Sequence, residues 1–263
     1  MSAGTSARDG GAPRRRWTML LTALLVVAAA LLAAGAHAWK RELRVTRIRT
    51  EGNRILSERD IVGLAGIPKQ ERLFALDLNA IRQRIEQHPY VRSASVNRDA
   101  PDGITITVDE RMPIAAIALD RMLYLDAEGV VLPPGGTADV LDLPVVTGDL
   151  PSAGCVPGKR ITAANVQEAI EILTTAHAIG DDLYHLISEV HLDGGRDIML
   201  ITAEAGVPVA FGHGDAAMKL VTLDGFWKEI VGERGAAELR TVDLRFADQV
   251  VARWENDSDV AAQ

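Results

Sequence analysis

The chain has one cysteine, Cys155, so it cannot close an internal disulfide. Cys155 lies in the Pro/Gly-rich run from Pro151 to Gly158 with no base beside it, which reads as an incidental thiol rather than a nucleophile. Aromatic residues make up only 4%, so any core must be built from Leu, Ile, Val and Ala. Positive charge is also short: the formal net charge is −8. The segment up to Trp39 holds Arg8, Arg14, Arg15 and Arg16 against Asp9, a net of +3, so the remainder carries −11. An acidic body of this kind excludes nucleic acid as a partner and argues against broad electrostatic binding to anionic lipid.

Catalytic signatures are equally scarce. His88, His177, His185, His191 and His213 have no metal-ligand spacing, and Gly158-Lys159 lacks the rest of a phosphate-binding loop. Gly212-His213-Gly214-Asp215 reads as a tight turn with a helix N-cap. No cofactor, metal site or small-molecule substrate is expected, and the chain does not read as an enzyme.

One long apolar run is present. Trp17 to Trp39 carries no charge, is long enough to cross a bilayer and is bracketed by tryptophans. Arg14, Arg15 and Arg16 precede it and favour a cytoplasmic N-terminus; Lys40, Arg41 and Arg44 follow it and weaken that bias. Ala36-His37-Ala38 resembles a signal-peptide cleavage site, so a cleaved leader is the competing reading; the run's length favours an uncleaved anchor. In either case the domains lie outside the cytoplasm.

Behind the run, Val45 to Thr50 has strand composition and ends at the turn Glu51-Gly52-Asn53. Ser57 with Asp60 forms a capping-box-like helix start, with Ile61, Leu64 and Ala65 as the apolar face and Gly66 and Pro68 as the stop. Asp77 caps a second helix carrying Leu78, Ile81 and Ile85, which must end near His88 because of Pro89. Two strands follow, Val91 to Arg98 and Ile104 to Val108, the latter in strict alternation. This β-α-α-β-β order describes a small α+β module with two helices on one face of a sheet.

The segment from 114 onward suggests a mostly antiparallel β domain with two helices. Leu123–Asp126 and Val130–Leu132 flank a turn, and Leu143–Gly148 is a further short strand. Thr162 is a candidate cap for a helix with Val166, Ile170 and Leu173 on one side. Ser188–Leu192, Asp197–Thr202 and Val207–Gly212 suggest a meander with turns at Gly194-Gly195 and Glu204-Ala205-Gly206. Asp215 precedes a helix with a core stripe of Leu220, Leu223, Trp227 and Ile230. A closing hairpin runs from Thr241 to Trp254 around Ala247-Asp248-Gln249, with Val242, Leu244 and Phe246 alternating in one strand and Val250, Ala252 and Trp254 in the other. The polar tail from Glu255 to Gln263 is expected to be disordered.

Specific residues narrow this description. Ile48, Gly52-Asn53, Leu73, Asp77, Ile81, Pro89-x-Val91, Ala94-x-Val96-x-Arg98, Pro101 and Val108-x-Glu110 together resemble a POTRA domain, a polypeptide-docking module of bacterial envelope proteins. Next come Glu110-Arg111-x-Pro113-x-Ala115, Leu125-Asp126-x-x-Gly129-x-Val131, Leu143-Pro144-x-x-x-Gly148, Phe211-Gly212, Lys219-Leu220, and Val242 to Phe246 with Trp254. With these the chain resembles the FtsQ/DivIB family over nearly its whole length. The resemblance implies an α+β organisation: a cytoplasmic tail (1–16), a transmembrane helix (17–39), a POTRA domain (45–113), a β domain (114–254) and a tail (255–263).

It also implies a non-catalytic, bitopic cell-division scaffold in the inner membrane, with its domains in the periplasm and enriched at the septum. The implied partners are FtsB and FtsL, bound outside the membrane at the closing hairpin, and other division proteins met through the POTRA domain and transmembrane helix. The expected contact residues are Arg245, Phe246, Val250, Val251, Ala252 and Trp254. Phe246 stands where the family often has Tyr, and Ala247-Asp248-Gln249 replaces its usual Gly/Ser turn. A competing class, outer-membrane assembly or secretion proteins, also carries POTRA modules, but it needs a membrane β-barrel of many strands of about ten residues each, whereas only about 150 residues follow the module, two helical stretches among them, and an uncleaved anchor also opposes it.

Overall fold

The computed structural model describes residues 12–135, 141–151, 154–194, 197–246 and 249–255. Residue 136, the turn residues Gly195, Ala247 and Asp248, and the expected disordered tail beyond Glu255 lie outside them.

The first element, α1 (Ala12–Glu42), contains an apolar span from Met19 to Lys40. None of that span is buried against the rest of the chain. An apolar helix with no protein face to cover it is suited to lipid rather than to a protein core.

Next comes a three-stranded sheet in the order β1 (Arg47–Glu51), β3 (Gly103–Glu110), β2 (Val91–Asp99). β1 runs parallel to β3, which needs a crossover, and α2 (Glu58–Ala65) and α3 (Leu78–Glu86) supply it. Both helices start where local chemistry dictates. Ser57 and Asp60 make the reciprocal capping box, and the Asp77 carboxylate accepts from the Asn79 and Ala80 N–H groups. Gly66 closes α2 in a left-handed conformation. Ile61, Ala65, Ile81 and Ile85 from the helices meet Ile104, Ile106 and Val108 from β3 in one core. Each large side chain buried this way contributes about 1.5–3 kcal/mol.

Two polar devices hold the module in shape. A Cβ on Gly52 (φ +84) would lie 2.1 Å from the Val108 carbonyl oxygen, so only glycine fits there. Beyond it the chain presents three consecutive N–H groups, of Arg54, Ile55 and Leu56, to the buried Glu110 carboxylate at 2.7, 2.6 and 3.1 Å. The next residue, Arg111, bonds to the fully buried Asp126 at 2.7 Å and carries the chain into the second sheet. Tyr90 donates its hydroxyl to the Pro133 carbonyl (2.8 Å), and Tyr124 and Leu132 pack into the first module's core.

The second sheet has nine strands in the order β12-β11-β10-β9-β8-β7-β4-β5-β6. These are β4 (Pro113–Ala118), β5 (Met122–Asp126), β6 (Val131–Leu132), β7 (Val145–Gly148), β8 (Ile187–Leu192), β9 (Ile198–Thr202), β10 (Pro208–Ala210), β11 (Leu239–Asp243) and β12 (Val251–Trp254). Most neighbours are antiparallel. The β4–β7, β7–β8 and β10–β11 pairs are parallel, and the helices sit in the last two crossovers. α4 (Ala164–Ile179) and α5 (Asp181–Leu186) join β7 to β8, while α6 (Ala216–Phe226) leads towards β11. The sheet is open, ending at β12 on one side and β6 on the other.

Three local expectations are corrected. α4 starts after Ala163 without a side-chain cap, so Thr162 is not its N-cap. Asp215 precedes α6 in a left-handed conformation (φ 53) and makes no capping bond. The stripe expected to end at Ile230 is interrupted, because Trp227–Val231 forms a π-turn. An i→i+5 turn adds a residue to the helical repeat, so Val231 is buried while Ile230 faces outward. The short α5 was not expected either: six residues starting directly after Gly180 leave too short a repeat to read.

Candidate partner-binding edge

β12 is the last strand of the sheet and pairs with β11 alone among the described strands. It exists because Val242 and Leu244 are drawn into the core while Ala252 and Trp254 cover the sheet's end. Its register sets Asp243 opposite Val251, Val242 opposite Ala252 and Thr241 opposite Arg253, with an irregularity before Leu239–Trp254. Both strands are shorter than expected: β11 stops at Asp243 and β12 starts at Val251, so Arg245, Phe246 and Val250 lie in the connection.

The candidate contact residues fall into two groups. At the connection, Arg245 is clamped in place. Its Nε and Nη2 donate to the two Asp243 oxygens at 3.0 and 2.6 Å, and its Nη1 donates to Asp197 at 3.0 Å. Asp243's carboxyl is held below the usual carboxylate range, chiefly by the hydrogen bond from Arg245, and the Arg245 guanidinium is pushed further up by the same bond. Phe246 continues past this clamp and is 51% exposed, so it does not cap the core. It lines a cleft of about 370 Å³ with Met218, Thr222, Leu244 and Gln249. Met218, on the outer face of α6, is 61% exposed.

At the other end, Trp254 is only 5% exposed and belongs to the core cluster. The Arg234 guanidinium lies 3.9 Å from its ring centroid, a cation–π contact that shields it further. Between these ends Val251 is 39% exposed and Ala252 and Val250 are partly buried. β12 spans about 10 Å at ordinary strand rise.

The loop beneath the cleft is built by side chains that sequence reading left without a role. Lys219 Nζ donates to the Phe211 and His213 carbonyls at 2.9 and 2.7 Å, and stands over the Phe211 ring. Glu168 from α4 meets His213 Nδ1 at 2.7 Å and accepts from the Gly214 N–H at 2.8 Å. Met218 also escaped notice. Its signal was an apolar pair, Met218 and Val221, on the helix face opposite Leu220 and Leu223. Elsewhere Cys155 is buried, donates to the Pro151 carbonyl at 3.4 Å, and has its thiol pushed up by burial. Among the described residues no three His, Cys, Asp or Glu side chains converge as a metal site would require.

Comparison with known proteins places these elements. Residues 43–111 match the model of the FtsQ-type POTRA domain. Residues 115–245 match that of the FtsQ/DivIB C-terminal region, so Phe246 and β12 lie just beyond the match. The chain is 35% identical to the cell division protein FtsQ of Syntrophotalea carbinolica over 81% of its own length and 74% of that protein. It is 33% identical to FtsQ of Rhodothermus marinus over 95% and 91%, and 30% identical to FtsQ of Geotalea daltonii over 80% and 75%. On both its domains and its relatives, the chain belongs to the FtsQ/DivIB family of cell division proteins.

Proposed function

We propose that this protein is a non-catalytic scaffold of the division machinery and binds FtsB, together with FtsL, by strand addition at β12. One observation carries the reading: β12 ends an open nine-stranded sheet, with β11 on one side and no described strand on the other. An edge strand offers backbone donors and acceptors to an incoming strand, and alternating side chains select the partner. A four-residue edge supplies few such bonds, each worth about 0.5–1.5 kcal/mol net, so side-chain contacts must add most of the affinity. Phe246 and Met218 beside the connection, and Val251 on the edge, are the apolar contacts available for that. Arg245 acts mainly by orienting Phe246, since its guanidinium is already bonded to two carboxylates.

In this reading α1 holds the chain in the inner membrane with its N-terminus in the cytoplasm and both sheets in the periplasm. The POTRA domain and α1 meet other division proteins, and the protein concentrates at the septum. The direct test is co-purification of FtsB and FtsL with the full-length chain carrying Phe246→Ala or a proline within β12. Loss of both partners from a folded protein is expected; undiminished binding by each variant would exclude the edge.

A further inference from the structure

The junction between α1 and the POTRA domain has no free linker. α1 continues to Glu42, and within three residues the backbone is locked to the loop spanning 67–76. The Leu73 N–H donates to the Leu43 carbonyl at 2.8 Å, and the Val45 N–H donates to the Glu71 carbonyl at 2.9 Å. Arg44 and Arg72 form an antiparallel bridge between these bonds, and Arg44 Nη1 donates to the Gln70 carbonyl at 2.8 Å. The loop therefore stays at the end of the helix.

Its depth follows from Lys40, the last residue of the apolar span. Lys40 Nζ lies 5.9 Å from the centroid of the Phe74 ring, which puts Phe74 level with the helix's exit from the bilayer. Phe74 is nevertheless 45% exposed. Its neighbour Leu73 is fully buried, and Arg98 bonds to the Leu73 and Leu76 carbonyls with its guanidinium 5.5 Å from the Phe74 ring, so the ring is held facing outward. Lys40 and Arg72 line one cleft with the ring, and Arg44 and Lys69 are further exposed cations on the locked segment and the loop, against Glu42 and Glu71. The average charge of the chain, strongly acidic beyond Trp39, conceals this basic patch. An outward aromatic ring level with the interface, on a loop that carries exposed cations, has the chemistry of a contact with lipid headgroups.

We infer that the 67–76 loop, with Lys40 and Arg44, rests on the bilayer that α1 crosses and binds its anionic phospholipid headgroups through Phe74, Lys69 and Arg72. The contact would fix the tilt of the POTRA domain against the membrane and so the direction in which the second sheet projects. It rests on α1 spanning the membrane.

The test uses the full chain with Cys155→Ser, reconstituted in nanodiscs of phosphatidylcholine with or without phosphatidylglycerol. Spin labels are placed singly at Ala75→Cys, Met218→Cys and Leu25→Cys, and their accessibility to oxygen is compared with that to a water-soluble nickel chelate. The Leu25 label tests the anchor: it must report the bilayer interior. With that met, the Ala75 label is expected to show an oxygen-to-nickel ratio several-fold above that of Met218. The ratio should rise with phosphatidylglycerol and fall back in Phe74→Ser and in Lys69→Gln/Arg72→Gln. An Ala75 label as water-exposed as Met218, or one indifferent to anionic lipid, overturns the inference. A Leu25 label that reads water overturns the anchor instead.

Discussion

Arg245 lies across Gly212: a Cβ built on Gly212 would stand 2.9 Å from the Arg245 Cγ. Gly212 also holds φ +67, a left-handed conformation that disfavours side chains. The Phe211-Gly212 step thus lets the chain leaving β10 pass beneath the arginine that bonds to Asp243 and Asp197. Gly212→Ala meets both obstacles and should cost about 1–3 kcal/mol. The expected result is a lower midpoint in thermal unfolding of the detergent-solubilised protein, with partner binding weakened as Phe246 loses its support. An unchanged midpoint would mean that Arg245 moves aside freely.

Asp243 gives a pH dependence of definite sign. Its folded pKa is depressed, first by the Arg245 hydrogen bond. A group with a depressed folded pKa adds stability above its unfolded value, about 3.9 for Asp, and that stability is lost as pH falls through the lower folded value. The clamp should therefore be intact at neutral pH and fail only in acid, below about pH 4. Asp243→Asn should reduce the difference in unfolding midpoint between neutral and acidic buffer. An equal acid loss in wild type and variant would assign that loss to other carboxylates.

Glu110 is a second structural carboxylate, and its removal is expected to cost more than that of a surface acid. The buried Ile55 and Leu56 N–H groups and the part-buried Arg54 N–H share it, so Glu110→Ala leaves all three without this acceptor, at about 1–3 kcal/mol for each of the two buried groups left unsatisfied. The same variant should speed amide hydrogen exchange at Ile55 and Leu56 before it affects the second sheet. Exchange that rises uniformly through both sheets would show that the two cores unfold as one unit.

How much of this was legible follows from the range of each interaction. The Ser57–Asp60 box and the Asp77 cap lie within three residues of their partners, and sequence reading found both. Alternation in Ile104, Ile106 and Val108 was legible because one face is buried throughout. The helix stripe failed at Ile230 because nothing local announces a π-turn. Arg245 was picked out by type, but Asp197, 48 positions away, meets it only across the folded sheet. Trp254 and Phe246 looked equivalent in the alternation. Phe246 falls beyond the end of β11 and faces out, whereas Trp254 keeps its register and is buried under Arg234.

That difference separates the two aromatics experimentally. Trp254→Ala removes a buried side chain and should cost about 3–5 kcal/mol of stability, so lost binding in that variant carries no information about contact. Phe246→Ala should leave the unfolding midpoint within about 0.5 kcal/mol of wild type. If Phe246 is an anchor, partner affinity should fall by about tenfold or more. Met218→Ala should act in the same direction, and the double variant should lose less than the sum if both side chains touch one partner residue. Titration of a labelled partner into the full-length chain in detergent measures all three.

A proline pair distinguishes strand addition from contact through side chains alone. In an antiparallel edge strand, successive residues point their N–H groups alternately inward to the neighbour and outward to the open side. Val251 and Ala252 are adjacent, so one must face β11 and the other the open edge. Proline at the inward position breaks a β11–β12 bond and should lower the unfolding midpoint. Proline at the outward position should leave the hairpin standing, since edge strands tolerate proline there, yet deny an incoming strand its donor. Strand addition therefore requires one of Val251→Pro and Ala252→Pro to be stable but deficient in binding. If the stable variant binds as wild type does, the partner is held by side chains such as Phe246, and the open edge is incidental.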